Sequence, residues 1–103
     1  MDCDGVLTDG GILLGPSGEE IKRFHAHDGH GIVCLHQAGI ETAVITGRTS
    51  GVLARRAAEL GMKHLIQGCK DKAEGLRLVQ RRSGRTPKEI CYIGDDLPDI
   101  PAL

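Results

Sequence analysis

Asp2-Cys3-Asp4-Gly5-Val6-Leu7-Thr8-Asp9-Gly10 stands at the start of the chain, and Gly94-Asp95-Asp96-Leu97-Pro98-Asp99 stands close to its end. Two aspartates one residue apart at the end of a strand are expected to point the same way, because side chains alternate faces with period two. One such carboxylate can attack phosphorus while the other moves a proton. A third carboxylate from a distant strand end would complete an oxygen-only pocket for a hard divalent cation, Mg2+ by preference. Without a metal, so many negative groups would repel a phosphate ester.

Between the two clusters, extended and helical patterns alternate. Gly11 to Leu14 and Glu19 to Phe24 flank the turn-rich Gly15-Pro16-Ser17-Gly18, which predicts a small β-hairpin over about 11–24. Asp28 is expected to cap a helix running to about Gln37, with Gly39 as its stop and Ile40 to Ile45 as an apolar strand. A second helix is expected from about Ser50 to Leu60, followed by a short strand at His64 to Ile66. Asp71 to Arg82 reads as helix, Thr86-Pro87-Lys88-Glu89 has capping-box spacing, and Ile90 to Ile93 reads as a further strand.

That alternation predicts an α/β fold: a Rossmann-like parallel sheet joined by right-handed crossovers and flanked by helices, in a single domain over 1–103. Ligands of such sheets bind at the carboxyl ends of the strands. The loops beginning at Asp2, Thr46, Gly68 and Asp95 should therefore meet at one edge.

Composition narrows the function classes. The 103 residues are 40% hydrophobic with a net charge of -1, which suits a globular chain near the lower limit for an independent core. Phe24 and Tyr92 are the only Phe and Tyr, and Trp is absent, so stacking on nucleic-acid bases has little to draw on. Cys3, Cys34, Cys69 and Cys91 form no CxxC pair and sit in or beside apolar segments, which predicts reduced, buried thiols in a cytoplasmic protein. No apolar run approaches bilayer length and no signal-peptide pattern precedes Asp2, so no membrane association is expected.

Four motifs in order, Asp2-x-Asp4-Gly-Val-Leu-Thr-Asp-Gly, Ile45-Thr46-Gly47-Arg48, Lys72 after Gln67-Gly68, and Gly94-Asp95-Asp96-x-x-Asp99, resemble those of the haloacid dehalogenase superfamily. More narrowly, Gly18-Glu19-Glu20-x-Lys22-x-Phe24 and Asp28-Gly29-x-Gly31-Ile32 are similar to the 3-deoxy-D-manno-octulosonate 8-phosphate (KDO 8-phosphate) phosphatases. The resemblance implies a Mg2+-dependent phosphomonoesterase with Asp2 as the nucleophile that forms an aspartyl-phosphate and Asp4 as general acid and base. It implies Mg2+ bound by Asp2, the backbone carbonyl of Asp4, and Asp95, with Thr46 and Lys72 on the phosphoryl oxygens. Asp96 and Asp99 would then orient metal-bound water or Lys72. The family further implies a small phosphorylated sugar-acid substrate, a homotetramer built through the hairpin, and no large cap domain.

Plainer readings stand beside these. Thr46 alone suits a strand end, Lys72 alone a solvated helix face, and Asp96 and Asp99 the start of a last helix. Arg48 would meet a substrate carboxylate or form a surface salt bridge. His27 occupies the position where many relatives carry arginine, leaving that substrate contact open. His25, His27 and His30 have weak metal-site spacing, with substrate or intersubunit contact as the other reading. His36 and His64 are expected to be partly buried.

Only Met1 precedes Asp2, where the family has a buried apolar strand, and the chain stops at Leu103. Both ends are expected to be cut, so the resemblance holds even for a chain that is itself inactive. The other readings are a phosphatase for a different small sugar phosphate and a noncatalytic oligomerisation module like the phosphatase-like domain of acylneuraminate cytidylyltransferases.

Overall fold

The computed structural model describes all residues from Met1 to Leu103. Strands β1 (Leu13–Leu14) and β2 (Glu20–Ile21) form an antiparallel hairpin, pairing Leu13 with Ile21 and Leu14 with Glu20. Helix α1 (Ala26–Gln37), β3 (Ala43–Ile45), α2 (Gly51–Glu59), β4 (His64–Ile66) and α3 (Lys72–Ser83) follow in alternation. Two 3-10 segments, Pro87–Glu89 and Leu97–Ala102, complete the chain.

β3 and β4 pair in parallel, Ala43 with His64 through Ile45 with Ile66, across the α2 crossover that the sequence pattern demands. Local chemistry sets the helix starts. The Ser50 hydroxyl accepts from the Leu53 amide at 3.2 Å to begin α2, and Asp71 Oδ1 accepts from the amides of Ala73 and Glu74 at 2.9 and 3.3 Å to begin α3. Leu53 and Ala57 turn the buried face of α2 onto a core made with Cys3, Leu7, Ile32, Val44 and Met62. α3 lies close against β3 because position 75 is glycine, where a Cβ would collide with Ile45 Cγ2.

Several expectations are corrected. α1 begins at Ala26 with His25, not Asp28, as its cap: His25 Nδ1 accepts from the His27 amide at 3.1 Å and secures the first turn before Asp28 is reached. The apolar run from Ile40 pairs over Ala43–Ile45 alone. Ile90 to Ile93 joins no ladder, although the Asp2 amide donates to the Ile93 carbonyl at 2.9 Å and the Ile45 amide donates to the Met1 carbonyl at 2.9 Å. Met1 and Asp2 thus span one end of a gap whose remainder is an open apolar groove of about 670 Å3, lined in part by Ile40, Ala43, Val79, Ile90 and Ile93. A segment without a neighbour on its hydrogen-bonding edge cannot form a ladder, however strand-like its composition.

The cysteines also depart from expectation. Cys3 is buried, whereas Cys34 and Cys91 are exposed and Cys69 is intermediate. His36 and His64 are partly buried as expected. No helix is long and apolar enough to cross a membrane.

The core is small and Leu53 sits at its centre, 1% exposed. Leu53→Ala should lower unfolding free energy by about 3 kcal/mol, read as a lower urea midpoint at unchanged slope.

Candidate active site

Lys72 is the first residue of α3, and its side chain is buried rather than solvated. Its ammonium donates to Asp2 Oδ1 at 2.7 Å, to the Ile45 carbonyl at 2.8 Å and to Asp99 Oδ1 at 3.0 Å. Three donors meet three acceptors from three distant parts of the chain, so the charge is paired and hydrogen-bonded as burial requires. Burial alone would pull the Lys72 pKa down, but hydrogen bonds to Asp2 and Asp99 hold it above the ordinary lysine value.

Asp99 is 1% exposed and both of its oxygens are engaged. Oδ1 accepts from Lys72 and from the Tyr92 hydroxyl at 2.6 Å, while Oδ2 accepts from the amides of Asp95 and Asp96 at 3.1 and 3.3 Å. Burial by itself would raise its pKa; the Tyr92 and Lys72 hydrogen bonds outweigh that and hold the carboxyl low. Asp96 occupies the start of the Leu97–Ala102 segment, its Oδ1 accepting from the Leu97 amide at 2.7 Å.

Asp2 and Asp4 do not lie on one extended strand. The backbone turns at Cys3, whose carbonyl accepts from the Leu7 amide at 2.8 Å, so the period-two argument fails beyond Asp2. Cys3 between them is fully buried, and burial together with the neighbouring Asp4 pushes its thiol up to about 11, which removes it as a nucleophile. Gly5, at φ 95°, permits the turn and leaves room for Asp95: a Cβ there would collide with Asp95 Oδ2.

One oxygen from each of Asp2, Asp95 and Asp99 lies within 4.8 Å of the others. With Asp99 saturated by its four donors, Asp2 and exposed Asp95 are the carboxylates left to face a cation. Their oxygen-only chemistry fits a hard divalent ion such as Mg2+ rather than a soft metal. The chain's three neighbouring histidines form no such group: His25 caps α1, His27 is exposed with its ring packed edge-on to His25 at 4.8 Å, and His30 Nε2 lies 3.6 Å from Cys34 Sγ.

Thr46 follows β3 and is buried, its hydroxyl oxygen accepting from the Arg48 amide at 3.5 Å. Its carbonyl accepts from the Cys69 amide at 3.0 Å, which ties this loop to the one before α3. Arg48 donates to Glu20 Oε2 at 3.1 Å, and its Nε stands 4.0 Å from Asp4 Oδ2. The hairpin thereby reaches the site. Lys22, which sequence analysis left without a role, pairs with Asp4 Oδ1 at 2.5 Å. The available signal was the polar pair Glu20 and Lys22 on either side of Ile21, two residues sharing one strand face. Tyr92 was also passed over, because its link to Asp99 exists only after the last segment folds back.

The family model described as "haloacid dehalogenase-like hydrolase" matches residues 30–103, a span that holds Thr46, Lys72 and Asp95 but not Asp2 or Asp4. The 3-deoxy-D-manno-octulosonate 8-phosphate phosphatase of Yersinia pestis is 44% identical over 99% of this chain and 54% of its own length. The Escherichia coli (strain K12) enzyme of that name is 42% identical over 100% of this chain and 55% of its own. The chain thus spans about half the length of these curated relatives. A crystal structure of the Moraxella catarrhalis phosphatase, in complex with magnesium, phosphate and KDO, superposes with a TM-score of 0.95 at 47% identity, over 99% of this chain and 59% of that one. The cobalt-bound phosphatase from Haemophilus influenzae gives 0.94 at 44% identity, over 98% of this chain and 59% of that one.

Asp99→Ala should destabilise the fold by about 3 kcal/mol at pH 7, since it strips a buried ammonium of one partner. Because the Asp99 pKa is depressed from 3.8, its stabilisation is present above that value and is lost as pH falls below it. The difference between the two proteins in urea unfolding should therefore shrink as pH falls below 3.8.

Proposed function

The chain belongs to the haloacid dehalogenase-like hydrolases, and from that membership we propose that it acts as a Mg2+-dependent phosphomonoesterase on a phosphorylated sugar acid, KDO 8-phosphate first. The observation that carries the reading is Lys72 held at 2.7 Å on Asp2 within the Asp2, Asp95 and Asp99 oxygen cluster. An ammonium fixed on one carboxylate oxygen orients the other oxygen and offsets the negative charge that an incoming ester meets.

Asp2 attacks phosphorus, the bond from phosphorus to the leaving oxygen breaks, and Asp4 gives that oxygen its proton. Asp4 then takes a proton from water, which attacks the aspartyl-phosphate and releases phosphate from Asp2. Thr46 donates its hydroxyl hydrogen to a phosphoryl oxygen, beside the charge of Lys72. Asp2, Asp95 and the backbone carbonyl of Asp4 would hold a Mg2+ ion, whose charge when bound offsets that of the ester oxygens. Asp99 acts through Lys72, and Asp96 through the turn it caps. Arg48 and His27 are the candidates for the sugar acid's carboxylate, with Arg48 the nearer to Asp4.

A second role rests on the hairpin, where Leu13, Leu14 and Ile21 are exposed. Leu13 and Ile21, paired directly across the hairpin, set exposed apolar side chains side by side as a surface for self-association, and a homotetramer would form there.

Phosphate release from KDO 8-phosphate and a panel of other sugar phosphates, with Mg2+ and with chelator, tests the proposal. Chelation should abolish turnover, and Asp2→Asn should reduce it by roughly 10^3-fold or more at unchanged oligomer size. A folded wild type that hydrolyses no ester leaves the assembly role alone standing.

A further inference from the structure

Lys22 has no part in the chemistry assigned to Asp2, Asp4, Thr46 and Lys72, yet its side chain is 3% exposed and its ammonium lies 2.5 Å from Asp4 Oδ1. Lysine is rarely buried to this degree without paired partners, because an unpaired ammonium loses its hydration. The second partner is Glu20 Oε1 at 3.4 Å, an oxygen that is itself buried and makes no hydrogen bond. Glu20 is held in turn by Arg48 through Oε2 at 3.1 Å. Glu20 and Lys22 stand two residues apart on β2 and its extension and so share the face turned toward Asp4, while Ile21 between them faces out and is exposed.

The two aspartates of the turn therefore have separate ammonium partners: Lys72 from α3 on Asp2 and Lys22 from the hairpin on Asp4. Lys22 occupies Oδ1 of Asp4. Oδ2 is left with Arg48 Nε at 4.0 Å, beyond hydrogen-bond length, and so is the oxygen free to carry and deliver a proton. A carboxyl group that works as general acid must hold its oxygen within about 3 Å of the leaving atom, and an aspartate with two free torsions does not stay there unaided.

We propose that Lys22 is a positioning residue that fixes the Asp4 carboxyl group through Oδ1 and presents Oδ2 to the leaving oxygen, which makes the β1–β2 hairpin part of the catalytic machinery. This rests on the phosphatase reading of Asp2 and Asp4. In the first step the Asp2 oxygen bonds to phosphorus, the electron pair of the breaking bond goes to the leaving oxygen, and that oxygen receives the proton from Oδ2. An alkoxide leaving group needs the proton; p-nitrophenolate, a weak base, does not. Loss of Lys22 therefore separates a positioning role from one that merely anchors the hairpin.

The experiment is rapid-quench measurement of the first phosphoryl transfer from KDO 8-phosphate and from p-nitrophenyl phosphate, with Mg2+, for wild type, Lys22→Met and Lys22→Arg. Lys22→Met should slow transfer from the sugar phosphate by about 10^2-fold with KM little changed, leave p-nitrophenol release within about threefold, and be largely rescued by Lys22→Arg. Lys22→Gln, neutral but polar, is read the same way if Lys22→Met loses the wild-type circular dichroism. Equal losses on both esters, or loss on neither, overturn the positioning role while the phosphatase reading stands. A folded wild type that cleaves neither ester overturns the phosphatase reading and the role of Lys22 with it.

Discussion

The candidate site as a whole hangs on one buried ammonium group. Lys72 joins the start of the chain, the end of β3 and the last 3-10 segment through three hydrogen bonds. Taking that charge out of water is costly, and the cost is recovered only while all three acceptors stay in place. The constraint passes outward. Asp99 can serve Lys72 because Tyr92 and two backbone amides complete its own shell. The 3-10 segment can fold over the site because Asp96 and Asp99 secure its first turn.

The hairpin repeats the arrangement at smaller scale. Lys22 is buried between Asp4 and Glu20, and Glu20 is in turn tied to Arg48 on the loop after β3. Two ion-pair systems therefore enclose the turn at Cys3 from opposite parts of the chain, one from α3 and one from the β1–β2 hairpin. Both rely on geometry rather than surface charge: the exposed pairs elsewhere, such as Arg55 with Glu59, are solvent-screened and contribute little. A chain with so few aromatics and so small an apolar core gains much of its definition at this edge from polar contacts.

Features governed by neighbours in sequence were legible in the sequence. Ser50, Asp71 and the Thr86 to Glu89 capping box lie within three residues of the amides they satisfy, and α2, α3 and the first 3-10 turn start there. Asp28 failed as a cap because His25 reached an earlier amide first. Ile90 to Ile93 failed as a strand because pairing needs a neighbour, a property of the fold and not of the segment. Within the site, Asp2, Lys72 and Asp99 announced themselves as motif residues. Lys22 stood in the hairpin motif without a role, because its partner lies 18 residues away at Asp4, across a hairpin whose orientation no local pattern specifies.

Tyr92 gives the Asp99 shell an optical consequence. It is the only tyrosine, tryptophan is absent, and its hydroxyl donates to Asp99 Oδ1 at 2.6 Å. Burial and that carboxylate raise the phenol's pKa well above its usual range. The ultraviolet emission of the folded protein thus has one dominant chromophore, seated one hydrogen bond from Asp99, two from Lys72 and three from Asp2. Any ligand that disturbs that chain of bonds alters its brightness, with no label attached.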